Sequence, residues 1–271
     1  MTARVAEAAR AGTASPTTAS PRTTPAIRLD AVTKVFGRGP EAVVALDRLD
    51  LTVEAGSFVC LVGASGCGNS TLLNIVAGLD APTSGTVEID GGRPTLIFQD
   101  AALFPWLTTG ENVELALRLR GVPARQRRET VADLLDLVHL TGFAGKRPHE
   151  LSGGMRQRVA LARALAQEAR VLLLDEPFGA LDAITRDLLH EELERIWRDT
   201  GLTILFVTHN VREAVRLGQR VVLLSSRPGR AVAEFPVVIA GERRIESPEV
   251  SALAITIGQQ LSEQVRRHAP R

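Results

Sequence analysis

"FVCLVGASGCGNSTLLNIVAG", Phe58–Gly78, changes character twice along its length. The apolar run ending at Val62 reads as a buried strand and the segment Gly63–Gly68 as a tight glycine-rich turn. "STLLNIVAGL" then reads as a helix opening at Ser70 and closing near Gly78. A glycine turn that leads from a strand into a helix cradles phosphate, and its pattern is G-x-x-x-x-G-K-[ST]. Gly63, Gly68 and Ser70 fall in register, but Asn69 holds the lysine position.

Working outward, short β-type runs begin at Ile27, with "RLDLTVE" alternating through Leu49, Leu51 and Val53, and "GTVEID" and "PTLIFQ" following the helix. Beyond Gln99 the character becomes helical in "GENVELALRLRG" and "RQRRETVADLLDLVHL", and a third helix is expected from Ser152, its N-cap. Strand and helix then alternate in "VLLLDE", "DAITRDLLHEELERIWRDTG", "TILFVTHN", "VREAVRLG" and "RVVLLSS". Continuous apolar strands between amphipathic helices point to a parallel sheet covered on both faces, an α/β core with a helical insertion. A strand in "AVAEFPVVI" and an amphipathic helix near "SALAITIGQQLSEQVRRH" complete the pattern.

Composition excludes several classes. The chain has 271 residues, 45% of them hydrophobic and 23% charged, with a net charge of +1, so it is not a strongly steered polyanion binder. Nearly all the basic residues are arginine, Lys34 and Lys146 being the only lysines. Cys60 and Cys67 make neither a disulfide framework nor a zinc site by themselves; Cys60 reads as core, and Cys67 lies inside the glycine turn. No apolar stretch approaches the roughly 18 residues of a membrane span. The Ala-, Thr-, Ser- and Pro-rich start lacks the apolar region of a secretory signal and reads as a disordered tail of a cytosolic protein.

"VLLLDEP", Val171–Pro177, is an apolar strand ending in two carboxylates, at the strand end where open α/β sheets bind ligands. Asp175 suits a Mg²⁺ shared with the Ser70 hydroxyl, and Glu176 a water beyond it. "LSGGMRQR", Leu151–Arg158, opens a helix with Ser-Gly-Gly, a second helix N-terminus suited to phosphate. On these motifs the chain resembles the ATP-binding cassette (ABC) family, with LSGG as its signature. Further family motifs follow: "IFQD" with Gln99, "GALD" with Asp182 and "VTHN" with His209. Phe36 in "KVFGRG" matches the aromatic that stacks on adenine, with a core phenylalanine as the other reading. The resemblance runs from about Ile27 to at least Arg230. "LFPWLTTGENV" (Leu103–Val113) and "SSRPGRAVAEFPV" resemble the nitrate/sulfonate/taurine importer branch.

The resemblance implies a P-loop core with a mainly parallel sheet, an antiparallel β subdomain and an inserted helical subdomain. After a tail over 1–25, residues 26–271 form one nucleotide-binding domain: core 26–98 and 160–240, helical subdomain 99–159, and C-terminal extension 241–271. It implies ATP and Mg²⁺. Gly63, Ala64, Ser65, Gly66, Cys67, Gly68, Asn69, Ser70 and Thr71 would hold the phosphates, with Phe36 on adenine. Ser70, Gln99 and Asp175 would hold the metal, and Glu176, His209 and Gln99 would serve catalysis. Ser152, Gly153 and Gly154 would act across a dimer with a second ABC subunit, identical or different, and Asp182, of the D-loop, would join the nucleotide-binding set. The implied partners are two membrane permeases, met near Trp106, and a solute-binding protein, on the cytoplasmic face of the cell's inner membrane; no nucleic acid is implied. DNA-repair members of the family split the cassette around a coiled coil and translation factors carry two cassettes, patterns this sequence does not show.

Asn69 is shorter than lysine and neutral. Loss of one hydrogen bond to a charged group, about 1.5–3 kcal/mol, weakens binding roughly 10- to 150-fold. The expectation is weakened ATP binding and impaired hydrolysis. Three explanations stand: a natural degeneracy with a competent partner subunit, a single introduced or recent change, or compensation by another cation. The third is disfavoured because no lysine lies nearby and Lys34 would approach from the adenine side. The intact Glu176 and His209 favour a competent scaffold with one lesion; the alternative is a non-hydrolysing regulatory partner of a competent subunit.

Overall fold

The computed structural model describes residues 25–268 apart from 65 and 242, so the expected tail, except for Pro25, and Ser65 lie outside the described residues. Two sheets carry the fold. Strands β1 (Pro25–Phe36), β2 (Val43–Glu54) and β4 (Ser84–Ile89) form an antiparallel sheet in the order β2-β1-β4. The second sheet is built from β3 (Phe58–Val62), β5 (Thr95–Ile97), β6 (Val171–Asp175), β7 (Thr203–Thr208), β8 (Arg220–Leu224) and β9 (Ala231–Pro236). Its order is β5-β6-β7-β3-β8-β9, parallel except for the antiparallel edge strand β9.

The continuous apolar strands are apolar because both faces of this sheet are covered. Phe58, Cys60 and Val62 of β3 face one core, with Leu172 and Leu174 of β6 and Ile204 and Phe206 of β7. Val59 and Leu61 face the other, with Val171, Leu173, Leu205 and Val207. The first core reaches the helical arm, made of α2 (Thr109–Leu119), α3 (Ala124–Leu137) and α4 (Gly153–Leu165). The second is closed by α1 (Asn69–Val76) and the antiparallel sheet. Helices α5 (Ala183–Thr200), α6 (Val211–Leu217) and α7 (Pro248–His268) complete the chain, and α7 packs on α6.

The expected 159/160 boundary falls inside α4, which runs through it without a break. Helix α2 starts on a capping box between Thr108 and Glu111, which satisfies backbone donors at its first turn. The loop before it is held by Asn112, a fully buried side chain. Its Oδ1 accepts from Phe104 N at 2.8 Å, and its Nδ2 donates to the carbonyls of Phe104, Leu107 and Thr108. Trp106, on that loop, stands 68% exposed, so the expected surface tryptophan is at the surface.

Candidate functional site

The site lies at the C-terminal ends of β3, β6 and β7. The chain leaves β3 through Gly63, where a Cβ would stand 2.5 Å from Cys67 Sγ. It enters α1 at Gly68, whose φ of 97° and close neighbours (Leu46 Cδ2 at 2.7 Å and Ala45 O at 2.8 Å from a Cβ) admit only glycine. Helices α2, α4, α5 and α6 each start with a side chain accepting from a first-turn N–H: Thr108, Ser152, Asp182 and Asn210. Helix α1 has no such cap. Its positive end faces the glycine turn, where the N–H groups of an uncapped first turn suit an anion. Burial pushes the Cys67 thiol up from its ordinary value, which keeps it neutral inside the loop.

At the end of β6, the Asp175 carboxyl lies beside the Ser70 side chain. Burial, assisted by the neighbouring charge of Glu176, raises its pKa, and the Ser70 hydroxyl opposes the rise. Glu176 has a φ of 44°, a left-handed backbone that costs on the order of 1–2 kcal/mol for a residue with a side chain. Its N–H is held by Val207 O at 3.0 Å across to β7. The geometry delivers the Glu176 carboxylate to His209, just beyond β7, with Oε2 3.0 Å from Nδ1. Gln99 joins from the β5 side. A Cβ on Gly179 would lie 3.6 Å from Gln99 Nε2 and 3.8 Å from Glu176 Oε2, so both side chains converge there. The backbone of Gln99 is tied to α4 by Gln157 Nε2, which donates to its carbonyl at 2.7 Å.

The signature turn packs elsewhere in the chain. Ser152 caps α4, accepting from Met155 N at 3.2 Å. A Cβ on Gly154 would meet Thr185 Cγ2 at 2.3 Å, and one on Gly153 would meet Leu181 Cδ2 at 3.4 Å. Asp182 accepts from Thr185 N and Oγ1 at 3.0 and 2.7 Å, bonds that hold its carboxyl below the usual value. Phe36 is 44% exposed with Lys34 Nζ 5.0 Å from its ring centroid. Lys34 is engaged by Asp80 Oδ1 at 2.6 Å and Ala81 O at 2.8 Å. The Asn69 carbonyl oxygen Oδ1 is buried with no hydrogen-bond partner.

Two features escaped the sequence reading. His190, fully buried on α5, meets Glu213 Oε1 at 2.6 Å, and Glu213 also accepts from Thr208, the residue before His209. Arg227, in the turn between β8 and β9, donates from Nε to Gly66 O at 3.4 Å. The second lay within a segment quoted above, "SSRPGR", but only tertiary contact reveals its proximity to the loop.

The ABC transporter family model matches residues 46–179 of the chain. A nitrate import ATP-binding protein of Synechocystis sp. is 48% identical over 223 residues, spanning 80% of this chain and 83% of that relative. An aliphatic sulfonates import ATP-binding protein of Bacillus cereus is 45% identical, with 75% and 83% covered. A taurine import ATP-binding protein of Sinorhizobium fredii is 46% identical, with 76% and 80% covered. Among solved structures, the dimeric post-hydrolysis state of an ATP-binding cassette bound to ADP and Pi superimposes with a TM-score of 0.71. It is 34% identical, and the match covers 79% of this chain and 99% of that one.

Proposed function

This chain belongs to the ABC transporter family, and from that premise we propose that it is the ATP-binding subunit of an importer for a small anion such as nitrate, an aliphatic sulfonate or taurine. One observation supports the chemistry above all. An uncapped glycine turn and helix α1 stand beside Asp175 through Ser70, next to a Glu176–His209 contact at 3.0 Å. The loop from Gly63 to Thr71 holds the ATP phosphates on backbone N–H groups and the α1 dipole. Phe36 offers its exposed ring to adenine.

The Ser70 hydroxyl and Asp175 carboxylate are an adjoining pair of hard oxygen donors, which fits Mg²⁺, with Gln99 as the further ligand. When bound, the ion neutralises charge on the phosphates. Glu176 orients a water and takes its proton as the water oxygen bonds to the γ-phosphorus and the bridging oxygen leaves with ADP. His209 Nδ1 fixes the Glu176 carboxylate. Ser152, Gly153 and Gly154 serve the ATP of a second subunit across the dimer. Asn69 offers an amide where a lysine would bring a full charge, so both affinity and turnover are reduced. The neutral side chain at Asn69 also fits a second reading, a non-hydrolysing partner of a competent subunit.

No helix among the described residues is long and apolar enough to cross a membrane. The subunit docks on two permeases at the cytoplasmic face of the cell's inner membrane, through the loop that Asn112 shapes around Phe104 and Trp106. A solute-binding protein feeds the assembly. The test is direct: ATP binding by the purified chain with and without Mg²⁺, and co-purification from detergent-solubilised membranes. Mg²⁺-dependent ATP binding and a co-purifying permease support the proposal. Absence of both contradicts it.

A further inference from the structure

We propose that Arg227 supplies, from the rim of the phosphate loop, the positive charge that position 69 lacks, which makes it a phosphate-binding residue of this site. The inference rests on the ATP reading above.

The turn that carries Arg227 is bolted to the loop. Ser225 Oγ donates to Pro228 O at 2.7 Å and accepts from Arg230 N at 2.9 Å, closing the turn on itself. Gly229 N donates to Ala45 O at 2.8 Å and Gly229 O accepts from Asp47 N at 3.0 Å, tying it to β2. The approach to the phosphate loop is closer still, since a Cβ on Gly229 would stand 2.1 Å from Cys67 O. Arg230 pairs with Asp47, so that cation is neutralised within the turn.

Arg227 is different. Its guanidinium lies against the bare backbone of Gly66, with Nε 3.4 Å from Gly66 O and Nη2 3.5 Å from where a Gly66 Cβ would stand. The side chain is exposed, and no ion pair joins it to a carboxylate among the described residues. A guanidinium carries five N–H donors in a planar fork that matches phosphate oxygens, and here most of the fork is unspent. Lys34, the other cation weighed for this role, is spent on Asp80 and Ala81 O. A lysine at 69 would deliver its charge from the first residue of α1; Arg227 delivers one from across the loop at Gly66.

The experiment is a double-mutant cycle on the full chain. The parent, Arg227→Gln, Asn69→Lys and the double variant are compared, with Arg227→Lys as the conservative control and thermal melting to establish folding. Calorimetric titration with Mg·ATP and with AMP reads affinity. Arg227→Gln weakens ATP binding in the parent by about fivefold, the effect of an exposed ionic contact near 1 kcal/mol. It leaves AMP unchanged, Arg227→Lys stays within about twofold of the parent, and with Asn69→Lys present the loss falls below about twofold. Equal losses in both backgrounds, equal losses for ATP and AMP, or no loss at all overturn the proposal. If the folded Asn69→Lys protein does not bind ATP, the nucleotide reading itself fails and takes the proposal with it.

Discussion

His190 is a fully buried imidazole whose removal should cost the fold more than any surface change near the site. Its Nε2 lies 2.6 Å from Glu213 Oε1, and Glu213 is itself only 5% exposed. His190→Ala leaves that carboxylate in the core with the Thr208 hydroxyl as its remaining side-chain partner. Stripping one partner from a buried hydrogen bond leaves the other desolvated and short of a bond, at a cost of about 1–3 kcal/mol or somewhat more. At roughly 2–4 °C per kcal/mol for a domain of this size, the melting temperature falls by several degrees. The disturbance also reaches the site. Thr208 Oγ1 accepts from Asn210 N at 3.0 Å, and Asn210 caps α6, so the network brackets His209 on both sides. Denaturant unfolding of His190→Ala, Glu213→Ala and the double variant gives the coupling. The account requires a double variant less destabilised than the sum of the singles by at least about 1 kcal/mol. A His190→Ala protein within about 1 kcal/mol of the parent, or strictly additive losses, refutes the reasoning.

Other perturbations follow from the same geometry. Glu176→Gln keeps the side-chain shape but removes the base, so Mg·ATP binding persists while turnover falls at least about 100-fold, read by phosphate release. Gly229→Ala drives a methyl into Cys67 O, at 2.1 Å, and destabilises the chain by about 1–3 kcal/mol in a thermal melt, with ATP affinity falling as the phosphate loop is displaced. Asn112→Leu strands the backbone groups of Phe104, Leu107 and Thr108 and loosens the loop bearing Trp106. The expected readouts are a loss of about 2 kcal/mol of stability and weaker permease co-purification.

The strands of the parallel sheet were legible because burial on both faces writes itself as unbroken apolar runs, as in Phe58–Val62 and Val171–Leu174. Helix starts were legible where a cap is a local residue, as at Ser152, which does accept from Met155 N. Glycines at 63 and 68 showed in the sequence as a spacing; the structure gives their reason in the close approach of Cys67, Leu46 and Ala45. The nearness of Ser70 to Asp175 could be expected because both lie at the C-terminal edge of one parallel sheet, on strands that flank β7, whereas Glu176 and His209, at the ends of the neighbouring β6 and β7, were paired through the family motifs. What stayed hidden were contacts made by side chains far apart in sequence and free of any motif. Arg227 reaches Gly66 across 161 positions, and His190 meets Glu213 from a different helix. Lys34 shows the same limit from the other side, for its charge could be read in the sequence and its capture by Asp80 could not.

The central claim is that this loop binds ATP and that Asn69 limits how well it does so. The paired measurement is Mg·ATP affinity and ATPase rate for the parent and for Asn69→Lys, with permeases included. A gain in affinity of about 10- to 150-fold, with recovered turnover, is the predicted result. Unchanged affinity and no hydrolysis by the folded Asn69→Lys protein, even with permeases present, would contradict it.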